Sequence, residues 1–257
     1  MAVEFVPYPS ADHAAGALED ELRRYFTHGP DHQLAGHNVE AQADFVVMLA
    51  GGATPLAVYR KIAADPPQRS HPGLHLMLSD ERVVPPEHEQ SNYGQIAPLA
   101  DALALGAGRF IYPDTRSSSD RAVESFGDAL RRATERSAIF ALGVLGIGAD
   151  GHTASLFDAA AAAWEPQSKT ELPGTGLGLP GYDEPVDAGE QLGVARVSAA
   201  PAALLSFRRL VFFVTGPAKR DILTAIRDDP QRYPAGRIMS VHPRAEIWTD
   251  VAPASAG

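Results

Sequence analysis

The chain has 257 residues, no cysteine, and 22 Lys or Arg against 32 Asp or Glu, a formal net charge of −10. This length fits one large α/β domain or two small ones, and the acidic balance argues against a nucleic-acid backbone as partner, although a few cations in one cleft suffice for a small phosphorylated ligand. Disulfides are excluded, residues 1–7 lack a basic and apolar leader, and no apolar run approaches ~18 residues, so a cytoplasmic protein with no membrane association is expected.

Apolar spacing at Ala14, Leu18, Leu22 and Tyr25 predicts a helix over residues 10–27. Residues 45–49 read as a buried strand ended by Gly51-Gly52. Thr54 is expected to cap the next helix, with Pro55 at its first position and 56–63 continuing it. Residues 74–78 read as a second strand ending in Ser79-Asp80-Glu81-Arg82, followed by helices over 92–104 and 120–136. The run 139–145 is a third strand, 194–198, 210–215 and 245–249 are later ones, and 217–227 is a helix. Strands alternate with helices throughout, which predicts one α/β domain over 1–250. Its sheet is expected to be single, doubly wound, mostly parallel and Rossmann-like, with helices on both faces. Residues 158–193 are rich in Gly and Pro and read either as a surface excursion beside the site or as an inert linker. The Ala- and Gly-rich tail 251–257 is expected to be disordered.

Chemistry concentrates at the strand ends, where open α/β sheets bind ligands. The strand 139–145 runs into Gly146-Ile147-Gly148-Ala149-Asp150-Gly151-His152. Asp150 can orient an imidazole and His152 can move protons near neutral pH, so the pair reads as a general base with its orienting carboxylate, or else as a tight turn with an exposed histidine. The same stretch fits G-x-G-x-x-G, but the dinucleotide fingerprint needs a βαβ unit of ~30 residues and an acid ~20 residues on; an alanine run and a Gly/Pro-rich stretch follow instead, so no such cofactor is expected. Gly51 and Gly52 before a helix offer backbone N–H groups to an anion. Asp80 and Glu81 beside Arg82 form either an ion pair or a functional cluster, in which Arg82 could clamp phosphate. Lys219 in the first turn of a helix opposes the helix dipole, which a bound anion would relieve, and Arg196 on the strand 194–198 is a further cation. His28, His32, His71, His75, His88 and His242 lack such a setting. No metal site is expected, since there are no thiols and no H-x-x-x-H helix pair, and the serine-hydrolase elbow G-x-S-x-G is absent.

Taken together, Gly-Gly-Ala-Thr-Pro at 51–55, Ser-Asp-Glu-Arg-Val-Val-Pro at 79–85, Ser-Asn-Tyr at 91–93, Gly-Ile-Gly-Ala-Asp-Gly-His-Thr-Ala-Ser-Leu-Phe at 146–157 and Val-Thr-Gly-Pro-Ala-Lys at 214–219 resemble the 6-phosphogluconolactonase family, over about 45–250. The resemblance implies the α/β fold shared with glucosamine-6-phosphate deaminase. It also implies cofactor-free hydrolysis of 6-phospho-D-glucono-1,5-lactone to 6-phosphogluconate in the oxidative pentose phosphate pathway. It makes His152 the base oriented by Asp150, sets Gly51, Gly52, Thr54, Asp80, Arg82, Arg196 and Lys219 around the phosphosugar, and suits a monomer or weak homo-oligomer. The deaminases are similar but read Asp-Glu-Tyr where Asp80-Glu81-Arg82 stands, and lack the Thr-Ala-Ser-Leu-Phe of 153–157. The chain departs from the lactonase pattern at Ala50 and Ala53, often serine, and at Asp158, a proline in the family. Two other readings stay open: a hexose-phosphate isomerase or deaminase with Asp80 as carbon base, and a non-catalytic phosphosugar sensor.

Overall fold

Three runs are buried at every residue, as strands covered on both faces must be: β2 (Phe45–Leu49), β3 (Leu74–Leu78) and β6 (Ile139–Leu145). They form the middle of the fold in a computed structural model that describes residues 3–30, 43–159, 161–165 and 171–254. The remaining strands are β1 (Glu4–Pro7), β4 (Asp80–Arg82), β5 (Phe110–Ile111), β7 (Val186–Gln191), β8 (Val194–Ser198), β9 (Arg209–Phe213) and β10 (Ala245–Thr249). The helices are α1 (Ala11–His28), α2 (Ala53–Ala64), α3 (Asn92–Ala102), α4 (Ser119–Glu135), α5 (Pro201–Ser206), α6 (Arg220–Asp228) and α7 (Pro234–Val241).

Seven strands make one parallel sheet in the order β1-β10-β9-β6-β2-β3-β5. From β2 the chain winds outward through β3 and β5, then returns to β6 and winds the other way through β9 and β10. The winding therefore reverses between β2 and β6, which opens a crevice at their carboxyl ends. Alternation along β2 builds the two cores. Phe45, Val47 and Leu49 pack with α1, α2 and α3 on one face, and Val46 and Met48 pack with the cluster that holds α4, α5, α6 and α7 on the other. The doubly wound, mostly parallel sheet expected from the alternation of elements is the one observed.

A second sheet was not anticipated. β4, β8 and β7 form an antiparallel ladder, so the strand 194–198 joins neither the main sheet nor its direction. β4 leaves the main sheet after one intervening residue, Ser79, and only its pairing with β8 marks it as a strand. β7 lies inside the stretch 158–193. Its sequence, Val-Asp-Ala-Gly-Glu-Gln, carries no continuous apolar pattern, and it is held by backbone pairing to β8 through a turn with positive φ at Leu192 and Gly193 (55° and 80°). The same stretch is fastened elsewhere: Gly174 and Gly176 donate to the carbonyls of Leu205 and Ser206 (2.8 and 3.0 Å), and Gly176 accepts from Phe140 at 2.9 Å. These contacts weigh against an inert linker over 174–176; residues 160 and 166–170, like His32, lie outside the described residues. Of the tail, Val251 is buried and Ala254 N–H donates to Thr224 Oγ1 at 2.9 Å, while 255–257 lie outside the described residues. The predicted helix 217–227 is in fact a 3₁₀ turn, Pro217–Lys219, leading into α6.

Candidate active site

The crevice at the reversal is a cleft of about 250 Å³. Gly51 and Gly52 form its floor after β2. A methyl at Gly51 would overlap the Asn92 carboxamide, and Gly52 has φ 103°, so both positions demand glycine for different reasons. Gly52, not Thr54, occupies the N-cap of α2, which has no side-chain cap. Thr54 is exposed in the first helical turn, on the cleft, because the chain already turns at the positive-φ glycine. The amino end of α2, where Leu56 N–H already donates to the Gly52 carbonyl (3.2 Å), opens onto the cleft, as the glycine motif predicts for an anion-facing helix start.

After β6 the chain closes a compact loop. Gly148 N–H donates to the His152 carbonyl (2.9 Å), Gly151 N–H to that of Gly148 (3.1 Å), and Thr153 Oγ1 to that of Gly146 (2.9 Å). Gly151 has φ 85° and lies against the Tyr233 ring, leaving no room for a side chain. The loop brings His152 Nδ1 to 2.5 Å from Asp150 Oδ1. Burial opposes ionisation of Asp150, but hydrogen bonds from the His152 backbone and ring outweigh it and hold the carboxyl below its usual range. An ionised Asp150 is an acceptor for Nδ1–H, and in that arrangement Nε2 is the ring nitrogen left to take up a proton. The imidazole lies against Phe157, centroids 4.2 Å apart, and is still 22% exposed on the cleft.

The carboxylates of 80–81 have separate tasks. Glu81 is fully buried and accepts from the backbone N–H groups of Arg82, Asn92 and Tyr93 (2.7, 2.7 and 2.6 Å) and from Ser91 Oγ (3.1 Å). It therefore anchors the start of α3; burial pushes its pKa up against these bonds. Asp80 reaches the cleft, with Oδ1 accepting from Ser79 Oγ (2.7 Å) and Oδ2 from Ser155 Oγ (2.6 Å).

The cations converge. Arg82 and Arg196 are directly opposite in the β4–β8 ladder, where like charges repel. Arg196 is buried; its Nε donates to the Gln191 carbonyl (3.3 Å), its guanidinium lies over Phe157 (5.6 Å), and Asp80 Oδ2 is 4.0 Å away. Burial, then the charge of Arg82, lowers its pKa. Lys219 sits in the 3₁₀ turn ahead of α6, and its Nζ donates to the Ile147 carbonyl at 2.5 Å. Burial lowers its pKa and Asp150 opposes the shift. Of the residues expected at the site, Gly51, Gly52, Thr54, Asp80, Arg82, His152, Arg196 and Lys219 line the cleft, and Asp150 stands behind His152. Sequence reasoning assigned no role to Asn92, Phe157 or Ser155, although each falls within a motif that it singled out.

The profile of the family described as glucosamine-6-phosphate isomerases/6-phosphogluconolactonase matches residues 13–248. A 6-phosphogluconolactonase of Haemophilus influenzae is 27% identical over 97% of this chain and 98% of its own length. The human 6-phosphogluconolactonase is 28% identical over 76% of this chain and 72% of its own length. The crystal structure of the Thermotoga maritima 6-phosphogluconolactonase superposes with a TM-score of 0.66 at 26% identity, covering 96% of this chain and 98% of that one. With the reversal-point cleft and its acid–histidine loop, these likenesses show that the chain belongs to the glucosamine-6-phosphate isomerase/6-phosphogluconolactonase family.

Proposed function

We propose that the chain is a 6-phosphogluconolactonase, hydrolysing 6-phospho-D-glucono-1,5-lactone to 6-phosphogluconate in the oxidative pentose phosphate pathway. One observation carries the reading: the Asp150-oriented His152 shares a cleft with Arg82, Arg196, Lys219 and the amino end of α2. In this mechanism Nε2 takes a proton from water as its oxygen attacks the lactone carbonyl. The tetrahedral intermediate collapses by breaking the bond to the ring oxygen, which takes the proton back from the imidazolium. Asp150 stabilises the cation formed between the two steps. The phosphate does not react; the cations and the α2 amides hold it so that its binding orients the carbonyl.

Asp80 speaks against the isomerase alternative. It is 6% exposed and both of its oxygens accept hydroxyl hydrogen bonds, which suits an anchoring carboxylate better than a carbon base. The deciding experiment follows hydrolysis of freshly generated lactone, corrected for its spontaneous reaction, with glucosamine 6-phosphate in parallel. Catalysed acid release from the lactone alone supports the reading. Turnover of the amino sugar alone favours the isomerase, and phosphosugar binding without turnover of either makes the protein a sensor.

Among the described residues no helix is long and apolar enough to cross a membrane. A cytoplasmic site of action belongs to the proposal, since a dianionic phosphosugar does not cross a bilayer unaided. So do a monomer or weak homo-oligomer and the lack of a nucleic-acid partner, the latter supported by the net charge of −10.

A further inference from the structure

We propose that Asn92 is the positioning residue of the phosphate clamp, its carboxamide locking Arg82 to the glycine loop and to the start of β4. The inference rests on the lactonase reading and adds a residue to it. Asn92 is the first residue of α3, is 1% exposed and lies on the cleft. Its backbone N–H is bound by Glu81 (2.7 Å), which fixes the main chain whatever the side chain does. The carboxamide then makes separate contacts with each end. Nδ2 donates to the Asp80 carbonyl at 2.8 Å, and Oδ1 accepts from the Arg82 guanidinium. The amide also fills the space that a Gly51 side chain would need, so the phosphate loop and the Arg82 anchor are in contact through it.

Such a residue is needed by the charge arrangement. Arg82 faces Arg196 across the ladder, and among the described residues Arg82 makes no ion pair while Arg196 makes one, at 4.0 Å. A guanidinium repelled by its neighbour turns toward solvent unless an acceptor holds it. Asn92 supplies that acceptor without adding a negative charge that would compete with phosphate. An aspartate there would hold Arg82 and repel the substrate, and an aliphatic residue would hold nothing.

The test is a double-mutant cycle of Asn92→Ala with Arg82→Ala, measured on 6-phosphogluconolactone and on unphosphorylated gluconolactone. We expect Asn92→Ala to raise KM for the phosphorylated lactone roughly tenfold with kcat within about twofold, and to leave the unphosphorylated lactone within about twofold. In the Arg82→Ala background the same change should add less than about twofold. Equal losses on the two lactones, or a full penalty in the Arg82→Ala background, would overturn the proposal and leave Asn92 a structural residue. If Asn92→Ala does not fold, Asn92→Ser, which retains a hydroxyl beside the Asp80 carbonyl, carries the same cycle. Should the wild type fail to hydrolyse the lactone, the functional reading falls by itself. The cycle is then read as the Kd for 6-phosphogluconate, where additive losses overturn the role of Asn92 and non-additive ones uphold it.

Discussion

Two clusters of part-buried arginine lie at opposite ends of the sheet, and they are built on opposite principles. At the amino ends of β9 and β10, Arg209 is fully matched: Nε and Nη2 bind Glu246 (3.0 and 2.7 Å), Nη1 binds Glu21 (2.7 Å), and Trp248 Nε1 donates to Glu246 (2.9 Å). Burial disfavours its charge, but the carboxylates prevail and its pKa rises. At the carboxyl ends, Arg196 faces another arginine, and burial with that like charge outweighs Asp80 and Glu81, so its pKa falls. The first cluster is complete within the fold and stabilises it. The second concentrates positive charge in a cleft, a charge that a bound anion would offset, and the same cleft holds His152.

The comparison predicts its largest effect at the chemistry of the cleft. His152→Ala should lower kcat by at least ~10²-fold, with KM little changed, when the lactone is assayed at saturation. Asp150→Asn should follow with a loss of roughly tenfold or more, because the imidazole loses its orienting acceptor. A near wild-type rate in either variant would remove that residue from the mechanism.

Exchanging the clusters sharpens the contrast. Arg209→Ala should cost about 3 kcal/mol of stability, since Glu246 loses its bidentate partner and Glu21 keeps only Arg24, while kcat/KM of the folded enzyme stays unchanged. Arg82→Ala should do the reverse. The melting temperature should hold or rise, while kcat/KM for the phosphorylated lactone falls by the ~1.5–3 kcal/mol of a charge-assisted hydrogen bond, and that for unphosphorylated gluconolactone scarcely moves. Thermal melts and both substrates decide it, and matching effects from the two arginines would erase the distinction.

Acid unfolding separates the clusters more gently. Burial raises the pKa of Glu246, but its bonds to Arg209 and Trp248 outweigh this and hold it below the ordinary 4.5. A carboxylate whose folded pKa is depressed contributes stability in full above 4.5 and loses it as the pH falls through the lower, folded value. Glu246→Gln should therefore be less stable at pH 6 by on the order of 1–2 kcal/mol, with the difference closing as the pH drops below 4.5. A gap that persists unchanged at pH 3 would mean that packing, not charge, explains the loss. The smallest effect is expected at Thr54, exposed in the first turn of α2. Thr54→Ala should weaken the phosphorylated substrate by roughly twofold to tenfold, the worth of one hydrogen bond made in contact with solvent, while the backbone amides remain.

Much of this was legible along the chain because its signals are local. A run such as Ile139–Leu145, apolar at every position and followed by glycines, an acid and a histidine, announces a buried strand and a ligand-facing turn. The cap of α2 was misread at Thr54 because Gly52 already supplies the turn, a matter of backbone angle which residue type does not reveal. β7 escaped because, after Val186, its residues are small or polar and it is held mainly by backbone pairing to the edge of β8.

By itself, then, the sequence determined the parallel α/β class, the strand-end motifs and the residue types of the site, since periodicity and turn chemistry act over a few neighbours. Only the tertiary structure decided how these residues are used. Pairing between β4 and β8, residues more than a hundred positions apart, sets Arg82 against Arg196, and Glu81 and Asp80, adjacent in sequence, are turned to a helix start and to the cleft respectively. The reversal of the sheet joins the glycine loop after β2 to the histidine loop after β6. Those relations are long-range, set by sheet order and register, and no local pattern encodes them.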